Sequence, residues 1–335
     1  MPPFDCTNFT LKRLHWGMIQ PLHRRRSPTL KSFIAIGLLL SLVALAYWLW
    51  TPDRDRASLE ARYLAEPGDM IDIAGSKLHV RDTGPADAPA IILLHGFGAS
   101  LQTWDTWAAV LERSHRVIRL DLPGSGLSWP DPAGNYSDER SMQLLVALQD
   151  RLHLVRTSVG GHSIGGRIAW TFAARHPERV DKLILVAPDG FASPGFRYGE
   201  APRIPAALSV MRHVLPRVVL RMNLAPAYAN PASLTDALVE RYHDLLLAPG
   251  AREAMLQRMQ QTVLVDPVPL LRRIRAPTLL VWGERDAMIP FANAQDYLGN
   301  IPDVRLAACP EAGHLPQEEA GARSAIAVRD FLDAR

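Results

Sequence analysis

Apolar and polar positions fall into alternating blocks along most of this chain. Short apolar runs bounded by Gly, Pro and Asp are separated by longer stretches with helical spacing. The runs Ile91 to Leu94, Val117 to Leu120, Ser158 to Gly160, Lys182 to Val186, Thr278 to Trp282 and Arg305 to Ala308 are predicted strands, and Lys77 to Asp82 an early hairpin strand. Several are near-continuous Ile, Leu and Val, the pattern of parallel strands buried on both faces. Helices are predicted over Trp104 to Arg113, Asp138 to Leu152, Ile164 to Arg175 and Ala322 to Leu332. Ser137 ahead of Asp138 and Glu139 supplies a helix start, and Glu318 and Glu319 are expected to start the last helix. This alternation predicts an α/β protein with a doubly wound, mostly parallel sheet.

The rhythm breaks between Pro188 and Ala276. That stretch has no clear strand, but amphipathic spacing around Leu208 to Leu220, Leu234 to Leu247 and Arg252 to Leu264. A loop of that length needs its own structure, and a helical cap at 188–276 over the carboxyl ends of the strands is expected. The α/β core then comprises 69–187 and 277–335. Met211, Met222, Met255 and Met259 in the cap are core-like residues that could also line an apolar pocket.

The N-terminal pattern differs. Residues 1–31 carry six basic side chains against Asp5, and Ser32 to Trp50 contain no charged residue. Nineteen helical residues span roughly 28 Å, close to a bilayer's hydrocarbon core. A single transmembrane helix at 32–50 is therefore expected, oriented by Arg24, Arg25, Arg26 and Lys31 with the N-terminus cytoplasmic and the catalytic domain on the outer side. Residues 51–68 would be a polar tether. The competing reading is a signal peptide removed near Ala46, with Met18 as a possible start.

Charge changes the picture once it is located. The formal net charge of +3 divides into +5 over 1–31 and −2 over 51–335. No folded basic surface remains for nucleic acid, and no zinc or RNA-binding spacing is present. Cys6 and Cys309 would lie on opposite sides of the membrane, so no disulfide is expected.

The chemistry gathers at strand ends. Gly161-His162-Ser163-Ile164-Gly165 lies between a predicted strand and a predicted helix, the setting of a G-x-S-x-G nucleophile elbow. A serine hydroxyl needs a base, and the base an orienting acid. Asp286, in Gly283-Glu284-Arg285-Asp286, and His314, the only histidine beyond it, supply them in the chain order Ser, Asp, His. Asp189 competes with Asp286 for the acid role. His95-Gly96-Phe97-Gly98 follows another strand, so the Phe97 and Ile164 N–H groups are candidate oxyanion donors. His95 and His162 read as structural, and Asp121 to Gly126 as a turn at the pocket rim that lacks a nucleotide cradle's lysine.

The motifs HGFG, DLPGSGLS, GHSIGG, GERDAMIP and the GH at 313–314 resemble, in order and spacing, the α/β-hydrolase superfamily and its capped, esterase- and lipase-like branch. The resemblance covers about residues 70 to 333. It implies an α/β-hydrolase fold with Ser163 as nucleophile, Asp286 as acid, His314 as base, Phe97 and Ile164 as oxyanion donors, and no metal or organic cofactor. The first expectation is hydrolysis of carboxylic esters, on a small hydrophobic ester or acyl substrate. Amide, thioester or carbon–carbon cleavage of ring-fission products with the same triad is the alternative. Ring-fission relatives carry Asn before the serine, where this chain has His162. A non-hydrolytic binding protein on the same fold is the reading from another class.

Overall fold

The computed structural model describes residues 30–192 and 197–334. The chain divides into two units, 1–48 and 49–335. The basic leader up to residue 29, with Cys6 and Met18, lies outside the described residues.

In the first unit the apolar run forms α1 (Leu30–Leu49). The expectation of a single-pass anchor is corrected, because no helix among the described residues is long and apolar enough to cross a membrane. An uncharged run identifies a helix, and it does not by itself establish a membrane span. The outer-side placement of the catalytic domain rested on that span and goes with it.

The second unit opens with a further difference. The expected tether contains α2 (Arg56–Tyr63), capped by Asp55, whose side chain accepts the Ser58 N–H at 3.0 Å. The segment before it is bonded to the 188–276 stretch expected to form the cap. Thr51 N–H donates to His213 O at 2.8 Å, and Arg54 N–H to Leu247 O at 2.7 Å. Trp50 stacks on His213 with ring centroids 4.9 Å apart. The buried Asp244 carboxylate faces Arg54 at 2.9 Å, Arg62 at 2.8 Å and the Tyr63 hydroxyl at 2.9 Å. Polar composition alone reads as linker. These charges have partners almost two hundred residues away, which local pattern does not display.

The sheet follows: β1 (Met70–Ile73), β2 (Ser76–Thr83), β3 (Ala90–Leu94), α3 (Asp105–Leu111), β4 (Arg116–Leu120), α4 (Asp138–Arg151), β5 (Thr157–His162), α5 (Ile164–Arg175) and β6 (Val180–Val186). After β6 the described chain contains only helices and turns until Pro277: α6 (Arg217–Leu224), α7 (Asp236–Leu246), α8 (Ala251–Gln261) and α9 (Val268–Leu271). It closes with β7 (Thr278–Gly283), α10 (Ala294–Leu298), β8 (Val304–Cys309), α11 (Pro316–Glu319) and α12 (Gly321–Asp333). The eight strands lie in the order β1-β2-β4-β3-β5-β6-β7-β8. Only β1 with β2 and β2 with β4 are antiparallel.

Period-two alternation sorts each central strand between two cores. Ile91 and Leu93 of β3 pack with Trp104, Trp107 and Val328 on one face, while Ile92 and Leu94 join Ile168 and Phe172 on the other. A helix covers each side, so both faces are apolar and the strands read as continuous hydrophobic runs. Because β3 to β8 pair in parallel, their carboxyl ends lie at one edge. The loops after β3, β5, β7 and β8 meet there.

Replacing Asp244 tests the ordered N-terminal segment. Asp244→Ala is expected to lower unfolding stability by about 1–3 kcal/mol in urea titration. Trypsin should then cut first at Arg54, Arg56 and Arg62, bonds the unaltered protein protects. Equal cleavage there in both proteins would identify a free tether.

Candidate active site

Ser163 sits between β5 and α5 with φ 53° and ψ −117°, a left-handed conformation unusual for a residue with a Cβ. Its N–H donates to Val186 O at 3.0 Å, and its carbonyl accepts from Asp189 N–H at 3.0 Å. The flanking glycines are demanded by space. A Cβ on Gly161 would lie 2.1 Å from Gly165 O, and one on Gly165 would lie 2.5 Å from the carbonyl oxygens of both Leu94 and His95. The turn is thus closed by backbone against backbone, and the serine side chain is lifted above the sheet edge.

Asp286 follows β7. Its Oδ1 accepts the N–H groups of Met288 at 2.8 Å and Ile289 at 2.9 Å, which leaves Oδ2 for His314 Nδ1 at 2.8 Å. The carboxylate is fully buried and the imidazole nearly so. With Nδ1–H committed to Asp286, Nε2 is the free basic nitrogen. Asp189, the competing acid, instead forms an ion pair with Arg167. Ser163 and His314 line one cavity of about 220 Å³.

The two other histidines of the motifs hold loops. His95 Nδ1–H donates to Gly96 O at 2.7 Å, and its Nε2 accepts the Leu122 N–H at 3.0 Å. Burial pushes its pKa below the ordinary imidazole value. His162 Nε2–H donates to His314 O at 2.8 Å, with the two rings 4.6 Å apart. Burial, then the neighbouring His314, pushes the His162 pKa well down, so it stays neutral beside the catalytic candidate. Phe97 lines the cavity, and Ile164 with Phe97 lines a small recess adjoining it. Among the described residues neither of their N–H groups donates to a backbone carbonyl.

The sequence marks Asp121 only as part of a rim turn and Met211 and Met255 only as cap residues that could line a pocket, and it does not mark the place of Met288 or Arg258. Asp121, at the end of β4, is fully buried and accepts the N–H groups of Leu101 at 2.7 Å and Leu127 at 2.9 Å and the His79 Nδ1–H at 2.7 Å. It fixes both the loop after β3 and the turn beside it. A carboxylate directly after an apolar strand was the available signal. Met211 and Met255 line the cavity, as does Met288, whereas Met222 is 69% exposed. Arg258 opens on the recess, 5% exposed. It donates to Tyr136 O at 3.3 Å and Pro123 O at 3.1 Å and, among the described residues, pairs with no carboxylate. Burial pushes its pKa down to about 10. Helical spacing marks Arg258 only as one of two arginines in α8. Among the described residues no cluster of three His, Cys, Asp or Glu could hold a metal ion.

With this geometry in hand, known proteins are comparable. The family model for the alpha/beta hydrolase fold matches residues 89–220. A 2-hydroxymuconate semialdehyde hydrolase from Pseudomonas putida is 30% identical over 276 residues, 80% of this chain and 94% of the relative. A meta-cleavage product hydrolase from Pseudomonas fluorescens superposes with a TM-score of 0.67 at 23% identity, covering 79% of this chain and 98% of that one. A thermophilic esterase from Thermogutta terrifontis gives a TM-score of 0.64 at 25% identity, over 79% of this chain and 96% of that one. An identity of 30% sustained over four-fifths of the sequence exceeds what a shared architecture alone requires, and the chain belongs to the α/β-hydrolase fold family.

Proposed function

We propose that this protein is a serine hydrolase that cleaves the bond beside a carbonyl in a small, largely apolar keto acid of the ring-fission type. The observation that carries the reading is the surroundings of Ser163: an apolar cavity, with a buried guanidinium in the recess next to it that pairs with no carboxylate among the described residues. A buried cation without a counterion is costly, and an anionic substrate group would offset that cost. The Pseudomonas putida relative's name, a muconate semialdehyde hydrolase, describes such a substrate: a carboxylate on an unsaturated chain with a carbonyl. The sequence favoured esters partly because His162 replaces Asn. His162 bonds the His314 carbonyl, so its identity bears on loop support and leaves the scissile bond open.

Ser163 Oγ would attack the carbonyl carbon while His314 Nε2 takes its proton and Asp286 Oδ2 holds the Nδ1–H. The Phe97 and Ile164 N–H groups would receive the oxyanion. For a carbon–carbon bond to break, the departing electron pair must spread into the conjugated chain as an enolate, which His314 then protonates. Water, deprotonated by His314, releases the acyl group as an acid and restores Ser163. These steps use no metal or organic cofactor.

Carboxylic-ester hydrolysis is the second reading. It is favoured by the cavity directly over Ser163, whose lining contains no Arg or Lys. The same steps apply, with an alkoxide as the group that His314 protonates.

Two measurements test these assignments. Ser163→Ala is expected to abolish labelling by a fluorophosphonate probe, and Asp286→Asn to slow it by about 10²- to 10⁴-fold; unchanged labelling in either would remove the triad. On a panel of ring-fission keto acids and neutral p-nitrophenyl esters, the keto acids should show the higher kcat/KM. Arg258→Met should raise KM for the keto acids at least tenfold, about 1.4 kcal/mol, and leave the neutral esters unaffected. Activity confined to esters and indifferent to Arg258 would leave the second reading.

A further inference from the structure

The two carboxylates after the GH motif do something other than start a helix. α11 is a single turn that ends at Glu319, five residues beyond His314. Glu319 Oε2 accepts the N–H of Gly313 at 2.6 Å and of Ala229 at 3.0 Å, while Oε1 accepts the N–H of Asn230 at 3.0 Å. Gly313 immediately precedes His314. Ala229 and Asn230 belong to the turn after α6, and the carbonyl of Ala227 in the same turn accepts the His314 N–H at 2.8 Å. The two segments touch so closely that a Cβ on Gly313 would lie 2.7 Å from both Ala227 O and Ala229 N. Glu318 holds the same turn from the side, accepting from the hydroxyls of Tyr228 and Tyr242 and from Arg241 at 2.8 Å. Ala227 and Tyr242 in turn line the cavity above Ser163.

We propose that Glu319 is a positioning residue for His314, tying the imidazole's loop to the 227–230 turn, so that the base is aligned only while that turn is seated over the cavity. Three N–H donors converge on one carboxylate, which has acceptor sites for all of them. A carboxamide does not, because its NH₂ group would face a donor. The carboxylate acts through Gly313 and does not line the cavity. Its effect is therefore on the geometry of proton transfer, where a displacement of about 1 Å costs on the order of a hundredfold. The inference rests on the triad assignment and is indifferent to whether the substrate is a keto acid or an ester.

The test uses the full chain and reads the rate of Ser163 labelling by a fluorophosphonate, together with kcat and KM on a p-nitrophenyl ester. Glu319→Gln and Glu319→Asp are compared with Asp131→Asn, which disturbs a carboxylate bound to Ser76 and Arg140 away from the cavity. Well below each variant's Tm, both Glu319 variants should lower labelling rate and kcat by roughly 10- to 100-fold, with KM within about threefold. Asp131→Asn should lower Tm and leave labelling and kcat as they were, which separates positioning from lost stability. If Glu319→Gln does not fold, Glu319→Asp decides alone, since it keeps the charge and is too short to reach both segments. A Glu319 variant that labels within about twofold of the unaltered protein overturns the proposal. Failure of the unaltered protein to label removes the triad, and this inference with it.

Discussion

At the end of β5 the backbone of Ser163 is held at φ 53° and ψ −117°, a conformation that costs a residue with a side chain of order 1–3 kcal/mol. It persists because the surroundings over-determine it. Val186 O accepts the Ser163 N–H, Asp189 N–H donates to the Ser163 carbonyl, and Gly161 and Gly165 let the two arms of the turn meet without a Cβ between them. Everything else at the sheet edge is arranged around this point. The strand brings the serine to the carboxyl edge, the helix that follows leaves its first N–H groups free of intrahelical partners, and the neighbouring strands deliver their loops to the same edge.

Those loops are irregular backbone in a largely dry place, so their polar groups need fixed partners. Buried side chains from short motifs supply them. Asp121 accepts N–H groups from both the loop after β3 and its own turn, His95 links the HGFG loop to the end of β4, and His162 donates to the carbonyl of His314. Burial keeps His95 and His162 neutral, which suits them to donate at one nitrogen without adding a second charge beside the Asp286–His314 pair. The glycine-, aspartate- and histidine-rich strand ends thus act largely as scaffolding, and only a few of their atoms face the cavity.

Much of this was legible along the chain. Doubly buried strands announce themselves as unbroken Ile, Leu and Val, as in β3 and β7, because both faces contribute. The triad candidates were legible because elbow spacing and chain order are local or one-dimensional properties. The antiparallel β1 was not, since Met70–Ile73 is short and mixed in character. The segment before it was misread as a tether for a related reason: Asp53, Arg54, Arg62 and Tyr63 find partners at Arg252 and Asp244, far along the chain. At α1 the uncharged run located the helix, but absence of charge does not by itself establish a membrane span, and no helix among the described residues is long and apolar enough to make one.

Sequence by itself determined the class of sheet and the strand-end positions of Ser163, Asp286 and His314, because periodicity and order are written along one dimension. Tertiary structure alone decided that Asp286 and not Asp189 meets the imidazole, that Arg258 opens on the recess, and that Glu319 joins the 227–230 turn to the loop of His314. Each of these is a choice of partner among chemically similar groups. Partner choice depends on which distant backbones come within hydrogen-bond reach, and that distance exists only once the chain is folded.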